Sequence, residues 1–154
     1  MLQRCYDDKF QERSPSYIGC YVDDDWLVFS NFRLWMLKQD WKGNQLDKDF
    51  LAFSGSGYSK DSCIFVNLKL NSAISFVRKG KRNLKLGVTM STRTNNYEAN
   101  CCKDGKKVYI GTYKTEDEAH NEYRKIKREV LINYASGHSK KIREAVTNFV
   151  IPEY

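Results

Sequence analysis

Two carboxylates and one asparagine stand where three short elements could bring them together. Asp47 and Asp49 lie at the end of a short apolar run, and a Gly-Ser turn over 54–57 separates that run from a second one. Asn71 follows the second run by five residues. Two strands around a turn, followed by the start of a helix, would place Asp47 close to Asn71. Carboxylate and amide oxygens are hard ligands that hold Mg²⁺ near a phosphate, so the spacing predicts a divalent metal site.

The charge is divided unequally along the chain. Residues 1–72 carry 9 Lys and Arg against 10 Asp and Glu, whereas residues 73–154 carry 17 against 9. The whole excess of +7 therefore lies in the second half, which indicates affinity for a polyanion such as a nucleic acid. The alternative is a solvated basic surface that has no partner.

Length and composition indicate a folded protein without a membrane span. The chain has 154 residues, 41% of them hydrophobic and only two of them proline, which is enough for one medium domain or two small ones. No apolar run approaches the roughly 20 residues of a bilayer span, and the start of the chain lacks the apolar core of a signal peptide. We expect a soluble cytoplasmic protein with no membrane partner.

The five cysteines indicate neither a disulfide framework nor a standard zinc site. Their number is odd, two are adjacent, and none forms a CxxC pair; the positions are Cys5, Cys20, Cys63, Cys101 and Cys102. We expect reduced cysteines used as small core residues. A structural Zn²⁺ site built from Cys5, Cys20 and Cys63 with a fourth ligand is the less favoured alternative.

Residues 1–76 predict a first module of mixed structure. After the helix-capping run Asp23–Asp25, large side chains recur at spacings of three and four and predict one helix with an aromatic core face: Trp26, Leu27, Phe29, Phe32, Trp35 and Met36. Strands over 45–53 and 62–66 and a helix from about Leu68 follow. Residues 77–85 are expected to be a basic linker whose cations follow a phosphate backbone. These cations are Arg78, Lys79, Lys81 and Arg82.

Residues 86–135 predict a second module, and 136–154 a helical tail that could be a packing helix, an arm or a dimer contact. Three strands are expected over 86–90, 97–102 and 107–112, and Thr115–Glu118 reads as a capping box opening a helix to about Tyr134. Because strand residues alternate, one face would pack on the helix: Val88, Tyr97, Ala99, Cys101, Val108 and Ile110. The other face could enter a major groove: Thr89, Ser91, Arg93, Asn100, Lys107 and Tyr109.

The second module resembles the AP2/ERF-type DNA-binding domain over about fifty residues. The match is carried by the turn Ile110–Tyr113, by the pattern Thr115–Ala119 that follows it, and by the order of strands and helix. The resemblance implies that the exposed sheet face named above contacts double-stranded DNA. This chain departs from the plant members in having fewer arginines and no tryptophan on that face, which puts strong base specificity in doubt.

The whole chain resembles the phage-type HNH endonucleases, many of which carry an AP2-like module downstream. The pattern runs from the spaced aromatics Trp26 to Trp35, through Leu46–Asp49 and Tyr58–Val66, to Asn71. The resemblance implies an α+β fold in which a small ββα-metal module precedes a three-stranded antiparallel sheet packed on one helix. It also implies a protein located, if phage-encoded, in the host cytoplasm.

By position, the resemblance makes Asp47 and Asn71 the ligands of one Mg²⁺ or Mn²⁺ ion. Lys48 stands where the usual motif has the water-activating His, and Ser62 stands where it has a loop-tying Asn. Lys48 could act as a base or stabilise the transition state, and Asp49 could hold the water. The alternative is that Asp47 and Asp49 only cap a hairpin and pair with Lys48. His120, on the helix of the second module, is expected at the surface or at the edge of the core.

Together these features predict a metal-dependent DNA endonuclease, active as a monomer or weak dimer, that nicks double-stranded DNA. One metal ion per site implies a cut in one strand. The alternative is a catalytically inactive DNA-binding protein, or one that blocks a host protein, on the same scaffold.

Overall fold

The computed structural model describes residues 1–48, 50, 57–75 and 83–153. The protein is of mixed α+β structure, as predicted, with small sheets and helices of very different lengths. The chain divides into two compact units, Met1–Asn71 and Ser72–Tyr154. In the described residues, no helix combines the length and the apolar character needed to cross a membrane.

The first unit is built from short helices and two pairs of short strands. The helices are α1 (Leu2–Tyr6), α2 (Asp8–Arg13), α3 (Asp24–Leu27), α4 (Phe29–Met36) and α5 (Leu68–Ile74), which extends past the unit boundary, and a 3₁₀ turn covers Pro15–Tyr17. The strands are β1 (Tyr21–Val22), β2 (Gln45–Asp47), β3 (Gly57–Tyr58) and β4 (Ile64–Val66). β1 lies parallel to β3, and β2 lies antiparallel to β4.

The single helix expected around the aromatic run is two helices, so that prediction is wrong. Val28 has an extended backbone that ends α3 and precedes α4, and a β-branched residue accepts this conformation readily. Trp26 is buried, and its ring lies 5.1 Å from that of Phe32 and 4.5 Å from that of Trp35. Leu27 and Phe29 are exposed, because the break turns them away from this cluster.

The predicted order of strand, strand and helix before Asn71 is present, with shorter strands. β2 ends at Asp47, whose Oδ1 accepts the backbone N–H of Phe50 at 2.7 Å; a carboxylate that caps a turn in this way ends the strand. β4 begins only at Ile64. The helix expected near Leu68 is confirmed as α5. Much of the rest of the expected first strand, with the Gly-Ser turn, lies outside the described residues.

The second unit is an antiparallel sheet covered by a long helix, as predicted. Its strands are β5 (Val88–Met90), β6 (Tyr97–Lys103) and β7 (Lys106–Tyr113), in that order in the sheet. The helix α6 (Glu116–Ala135) contacts all three strands, and α7 (Lys140–Asn148) packs on α6. The capping box is confirmed, because the Thr115 hydroxyl accepts the Glu118 N–H while the Glu118 carboxylate accepts the Thr115 N–H. Of the three alternatives for the tail over 136–154, the packing helix is therefore the correct one.

The position of His120 differs from the expectation, since its side chain is only 2% exposed. Its Nδ1 donates to the Leu86 carbonyl at 2.9 Å, and the Leu86 N–H donates to the Glu153 carbonyl at 3.3 Å. Ile151, also 2% exposed, belongs to the same C-terminal segment. The residue that precedes the sheet in sequence and the segment that follows α7 thus meet at α6, where they cover His120.

Candidate functional site

The polar side chains of strand β2 lie on the face opposite to that of Leu46. Leu46 packs against the buried cluster that contains Trp26, Tyr58 and Cys63. Because successive side chains of a strand point to opposite faces, Gln45 and Asp47 lie together on the other face. Their α-carbons are two positions apart, a separation of about 7 Å along a strand.

Helix α5 brings Asn71 to that same face. The Nδ2 of Asn71 donates to Oε1 of Gln45 at 2.6 Å, and the amide oxygen is the atom of this side chain with the chemistry of a metal ligand. Asn71 is therefore bonded to Gln45, the neighbour of Asp47 on the same face of β2. Gln45 was not predicted as a site residue, because it carries no charge and belongs to no motif. Its role as the partner of Asn71 follows only from the contact between β2 and α5.

Ser62 ties the loop between β3 and β4, which was the role predicted for it. Its hydroxyl accepts the N–H of Ser59 at 3.0 Å and donates to the carbonyl of Gly57 at 2.8 Å. The loop therefore has a fixed course from β3 to the start of β4. Since β4 pairs with β2, this contact supports the strand that carries Asp47.

Lys48 follows the end of β2 and is only 9% exposed. Its ammonium lies 5.9 Å from the ring centroid of Tyr17 and 5.9 Å from that of Tyr58. Aromatic faces attract a cation, so these contacts hold the ammonium of Lys48 at the two rings. Asp49, the other predicted catalytic residue, lies outside the described residues.

The three cysteines of the first unit are buried thiols. Burial, with a contact to Cys20, raises the pKa of Cys5 to about 12, and burial raises the pKa of Cys63 to about 11. Within the described ranges, no three His, Cys, Asp or Glu side chains are grouped as metal ligands. Asp47 with the amide of Asn71 is a smaller set, of the kind that Mg²⁺ completes with water and phosphate oxygens.

The outer face of the sheet in the second unit gathers four of its six predicted DNA-contacting residues: Thr89, Asn100, Lys107 and Tyr109. Val88, Ala99 and Cys101 are buried on the helix side, so the alternate positions face outward. Asn100 pairs with Tyr109 across the strands and donates from Nδ2 to the Thr89 hydroxyl at 3.2 Å. This polar surface, with Lys107 beyond it, is called the outer sheet face below.

The other two predicted residues lie at one end of the sheet. Ser91 follows β5 and closes the turn by donating its N–H to the Asn96 carbonyl at 2.8 Å, and Arg93 is exposed in that turn. The predicted linker cations Arg78, Lys79, Lys81 and Arg82 lie outside the described residues. Lys85, the last residue of the expected linker, is instead tied to α6 by an ion pair of 2.7 Å with Asp117.

Two features of the outer sheet face were missed from the sequence. Glu98 pairs with Thr89 and Thr112, and Cys102 pairs with Lys107, so both point outward by alternation.

Val108 and Ile110 are also less buried than expected: Val108 is 40% exposed on the edge strand, and the pairing shifts by one residue at Ile110. A bulge of this kind leaves no signal in the hydrophobic pattern of the sequence, because it changes the direction of the side chains and not the composition of the strand.

No family model, curated protein or solved structure matches this chain.

Proposed function

We propose that the protein binds double-stranded DNA and hydrolyses one phosphodiester bond with one Mg²⁺ or Mn²⁺ ion, in the manner of the HNH endonucleases that it resembles. The observation that carries the proposal is the shared face of Asp47 and Asn71. Asn71 on α5 is bonded to Gln45, which lies on the same face of β2 as Asp47, so two oxygen-bearing side chains from separate elements belong to one face. Such a convergence of hard donors suits a small divalent cation.

The donor set fits that role. Asp47 carries a carboxylate, whose Oδ1 accepts the Phe50 N–H, and Asn71 carries an amide oxygen on a side chain that is bonded to Gln45; both are oxygen donors of the type that Mg²⁺ prefers. A bound divalent ion would neutralise charge at the phosphate and at the leaving oxygen. The chain's own part is to hold these oxygens in place through β2, β4 and α5. Lys48 adds a positive charge nearby, and Asp49 remains our candidate to orient the attacking water.

The second unit supports DNA as the substrate. Residues 73–154 carry the excess of positive charge, and the outer sheet face offers hydroxyls, an amide, a cation and a phenol within two neighbouring pairs of strands. Phosphate contacts supply general affinity, whereas side chains of these types read base edges. Glu98 on the same face opposes phosphate binding locally, so we expect modest sequence preference rather than tight binding.

A second candidate function is binding without cleavage, either to DNA or to a host protein. It is favoured by the contacts that Asp47 and Lys48 make within the first unit. Asp47 caps the turn at Phe50, and Lys48 packs on two tyrosine rings. Both side chains would be useful to the fold even if the site had no catalytic role.

The test is incubation of supercoiled plasmid with the wild-type protein and with the variants Asp47→Ala and Asn71→Ala, in Mg²⁺ and in Mn²⁺. The matched controls are Asp61→Ala and Asn31→Ala, because Asp61 is an exposed and Asn31 a half-buried side chain of the first unit, and neither belongs to the proposed site. DNA binding is measured in parallel by gel shift. A loss of about 100-fold or more in nicking is expected for the two site variants, with DNA binding retained.

Nicking by the wild type and by both controls, but not by the site variants, would establish the nuclease. Binding without nicking in either metal would favour the second candidate and reject the first. Weak DNA affinity that does not change with salt would instead indicate a protein partner, since few phosphates would then be neutralised.

A further inference from the structure

A second charged feature of the first unit is formed by Arg4 and Lys48. Arg4, on α1, stacks its guanidinium over the ring of Tyr17 at 5.4 Å and donates from Nη1 to the Tyr58 hydroxyl at 3.3 Å. Lys48 lies against these same two rings. Two cations therefore share a pair of tyrosines, one exposed at the surface and one buried behind it.

Arg4 is held in place while most of its hydrogen-bonding capacity is unused. A guanidinium has five N–H donors, and the Tyr58 hydroxyl takes only one of them. Among the residues that the structure describes, Arg4 forms no ion pair. An exposed arginine whose side chain is fixed by a ring and a hydroxyl, with donors to spare, is suited to bind an oxyanion in a two-pronged contact.

Lys48, which lies against the same two rings as Arg4, directly follows Asp47 in the chain. The hydrogen bond to Tyr58 raises the pKa of Arg4, and the negative charge of Asp47 raises it further. The rings of Tyr17 and Tyr58 thus link the guanidinium to the end of β2, where the proposed metal ligand lies. Hydrolysis of a phosphodiester needs positive charge on more than one side of the phosphorus, because negative charge builds on several oxygens in the transition state.

We propose that Arg4 binds a non-bridging oxygen of the scissile phosphate and stabilises the charge that develops there. Tyr17 and Tyr58 act as positioning residues for its guanidinium, and the ammonium of Lys48 adds to the positive potential from behind the rings. This proposal rests on the proposed endonuclease function, which it extends from metal ligands to a residue that contacts the substrate.

The first test compares Arg4→Met and Arg4→Lys with the wild type. Methionine keeps an unbranched side chain against Tyr17 without charge, and lysine keeps the charge without the planar donors. Arg13→Met is the matched control, since Arg13 is an exposed arginine of the same unit that donates from Nε to the backbone carbonyl of Lys9. Nicking rate, DNA affinity and Tm are measured for each.

We expect Arg4→Met to lower the nicking rate about 100-fold, as for removal of one charge-stabilising donor, while DNA affinity falls less than about tenfold because the remaining phosphate contacts persist. Arg4→Lys should recover part of the loss. Nicking by Arg4→Met equal to that of Arg13→Met would overturn the proposal and leave the nuclease itself intact.

A second measurement needs neither cleavage nor a variant that folds. Wild-type protein is treated with phenylglyoxal, which modifies accessible arginines, with and without a short DNA duplex, and each site is followed by mass spectrometry. DNA should slow modification of Arg4 by about tenfold, as expected for a guanidinium engaged by phosphate, and leave Arg13 nearly unchanged. Inorganic phosphate at the same phosphate concentration should protect Arg4 far less.

The two measurements separate the proposals. Protection of Arg4 without any nicking would support the phosphate contact and reject the nuclease. Nicking without protection of Arg4 would reject the contact and support the nuclease. If neither occurs, both are wrong.

Discussion

The side-chain amide of Asn71 and the side-chain carbonyl of Gln45 are joined by a hydrogen bond of 2.6 Å between α5 and β2. This bond fixes the orientation of the amide, and so decides which of its atoms faces the Asp47 side of the strand. A residue that orients a metal ligand affects metal affinity without touching the ion.

We therefore expect Gln45→Met to raise the Mg²⁺ concentration needed for half-maximal nicking by about tenfold. Methionine keeps the size of the side chain and removes the acceptor. The measurement is a Mg²⁺ titration of plasmid nicking, and Gln3→Met, an exposed residue on α1, is the control. An unchanged titration would show that Asn71 holds its orientation without Gln45.

Replacing Lys107 by alanine should weaken DNA binding at every sequence to a similar degree. The side chain lies at the end of the outer sheet face, where it can neutralise one phosphate, so the slope of log affinity against log salt should fall by about 1. Lys140→Ala removes an equal charge from α7 and serves as the control. Equal effects of the two changes would mean that binding depends on net charge and not on the sheet.

The exposed thiol of Cys102 offers a native reporter of that same face. Cys102 pairs with Lys107 across the strands and is exposed, whereas the other four cysteines are buried. Burial also raises the pKa values of Cys5, Cys63 and Cys101, which suppresses the reactive thiolate. At pH 8 we expect iodoacetamide to modify Cys102 alone in the folded protein and all five in denaturant.

Bound DNA should slow the modification of Cys102 if the outer sheet face is the binding surface. The rate is followed by mass spectrometry with and without a duplex, and free cysteine in the same tube controls for the reagent. An equal rate in both conditions, at a concentration where the gel shift is complete, would place the DNA elsewhere on the protein.

Lys127 should make stability depend on pH. It is buried on α6, and burial lowers its pKa below the usual 10.5. Below the lowered value both folded and unfolded chains bind the proton, so the cost of burying the charge is present in full. As pH rises toward 10.5 the unfolded chain binds more protons than the folded one, and stability increases.

Lys127→Met should therefore raise the free energy of unfolding at pH 7 by about 1 kcal/mol, with the difference from wild type shrinking near pH 10. Urea denaturation at the two pH values measures this. Lys125→Met, an exposed position on the same helix, should change stability by less than about 0.5 kcal/mol. A loss of stability that is equal at both pH values would show that the ammonium serves the fold.

Gly87 should tolerate no side chain. Its backbone has a φ of +77°, and a Cβ atom there would lie 2.1 Å from the ring of Tyr123. Gly87→Ala combines a left-handed backbone with overpacking and should cost about 3 kcal/mol. Gly105 has a similar φ of +75° but open space around it, so Gly105→Ala isolates the backbone cost of about 1 kcal/mol; similar losses at both sites would contradict the packing argument.

Local signals in the sequence predicted much of the second unit and less of the first. The capping box at Thr115, the turn residues and the alternation around Ala99 each act within a few residues, and each gave the correct element. The first unit depends on longer-range contacts, such as the parallel pairing of Tyr21 with Gly57. No periodicity within a short window reports a pairing of that kind.

The same distinction explains the candidate site. Asp47 and Asn71 were found because their residue types and the strand–turn–helix spacing indicate a metal site. Gln45, Arg4 and Tyr17 were missed because their roles come from contacts between elements that are distant in sequence. The expectation for His120 failed for a related reason: the helix pattern shows one apolar face, and the residues that cover the neighbouring positions come from beyond α6.

The hydrogen bond between Leu86 and Glu153 has a consequence for how the second unit folds. It joins the residue that shortly precedes the first strand of the sheet to the segment that follows α7, in which Ile151 is buried. Closing such a long loop costs entropy before the contact stabilises anything, and slows folding. A ribosome-bound chain that has not yet exposed Ile151 could form the sheet and α6, but could not cover them, so the second unit would gain its full stability only after synthesis has passed that residue.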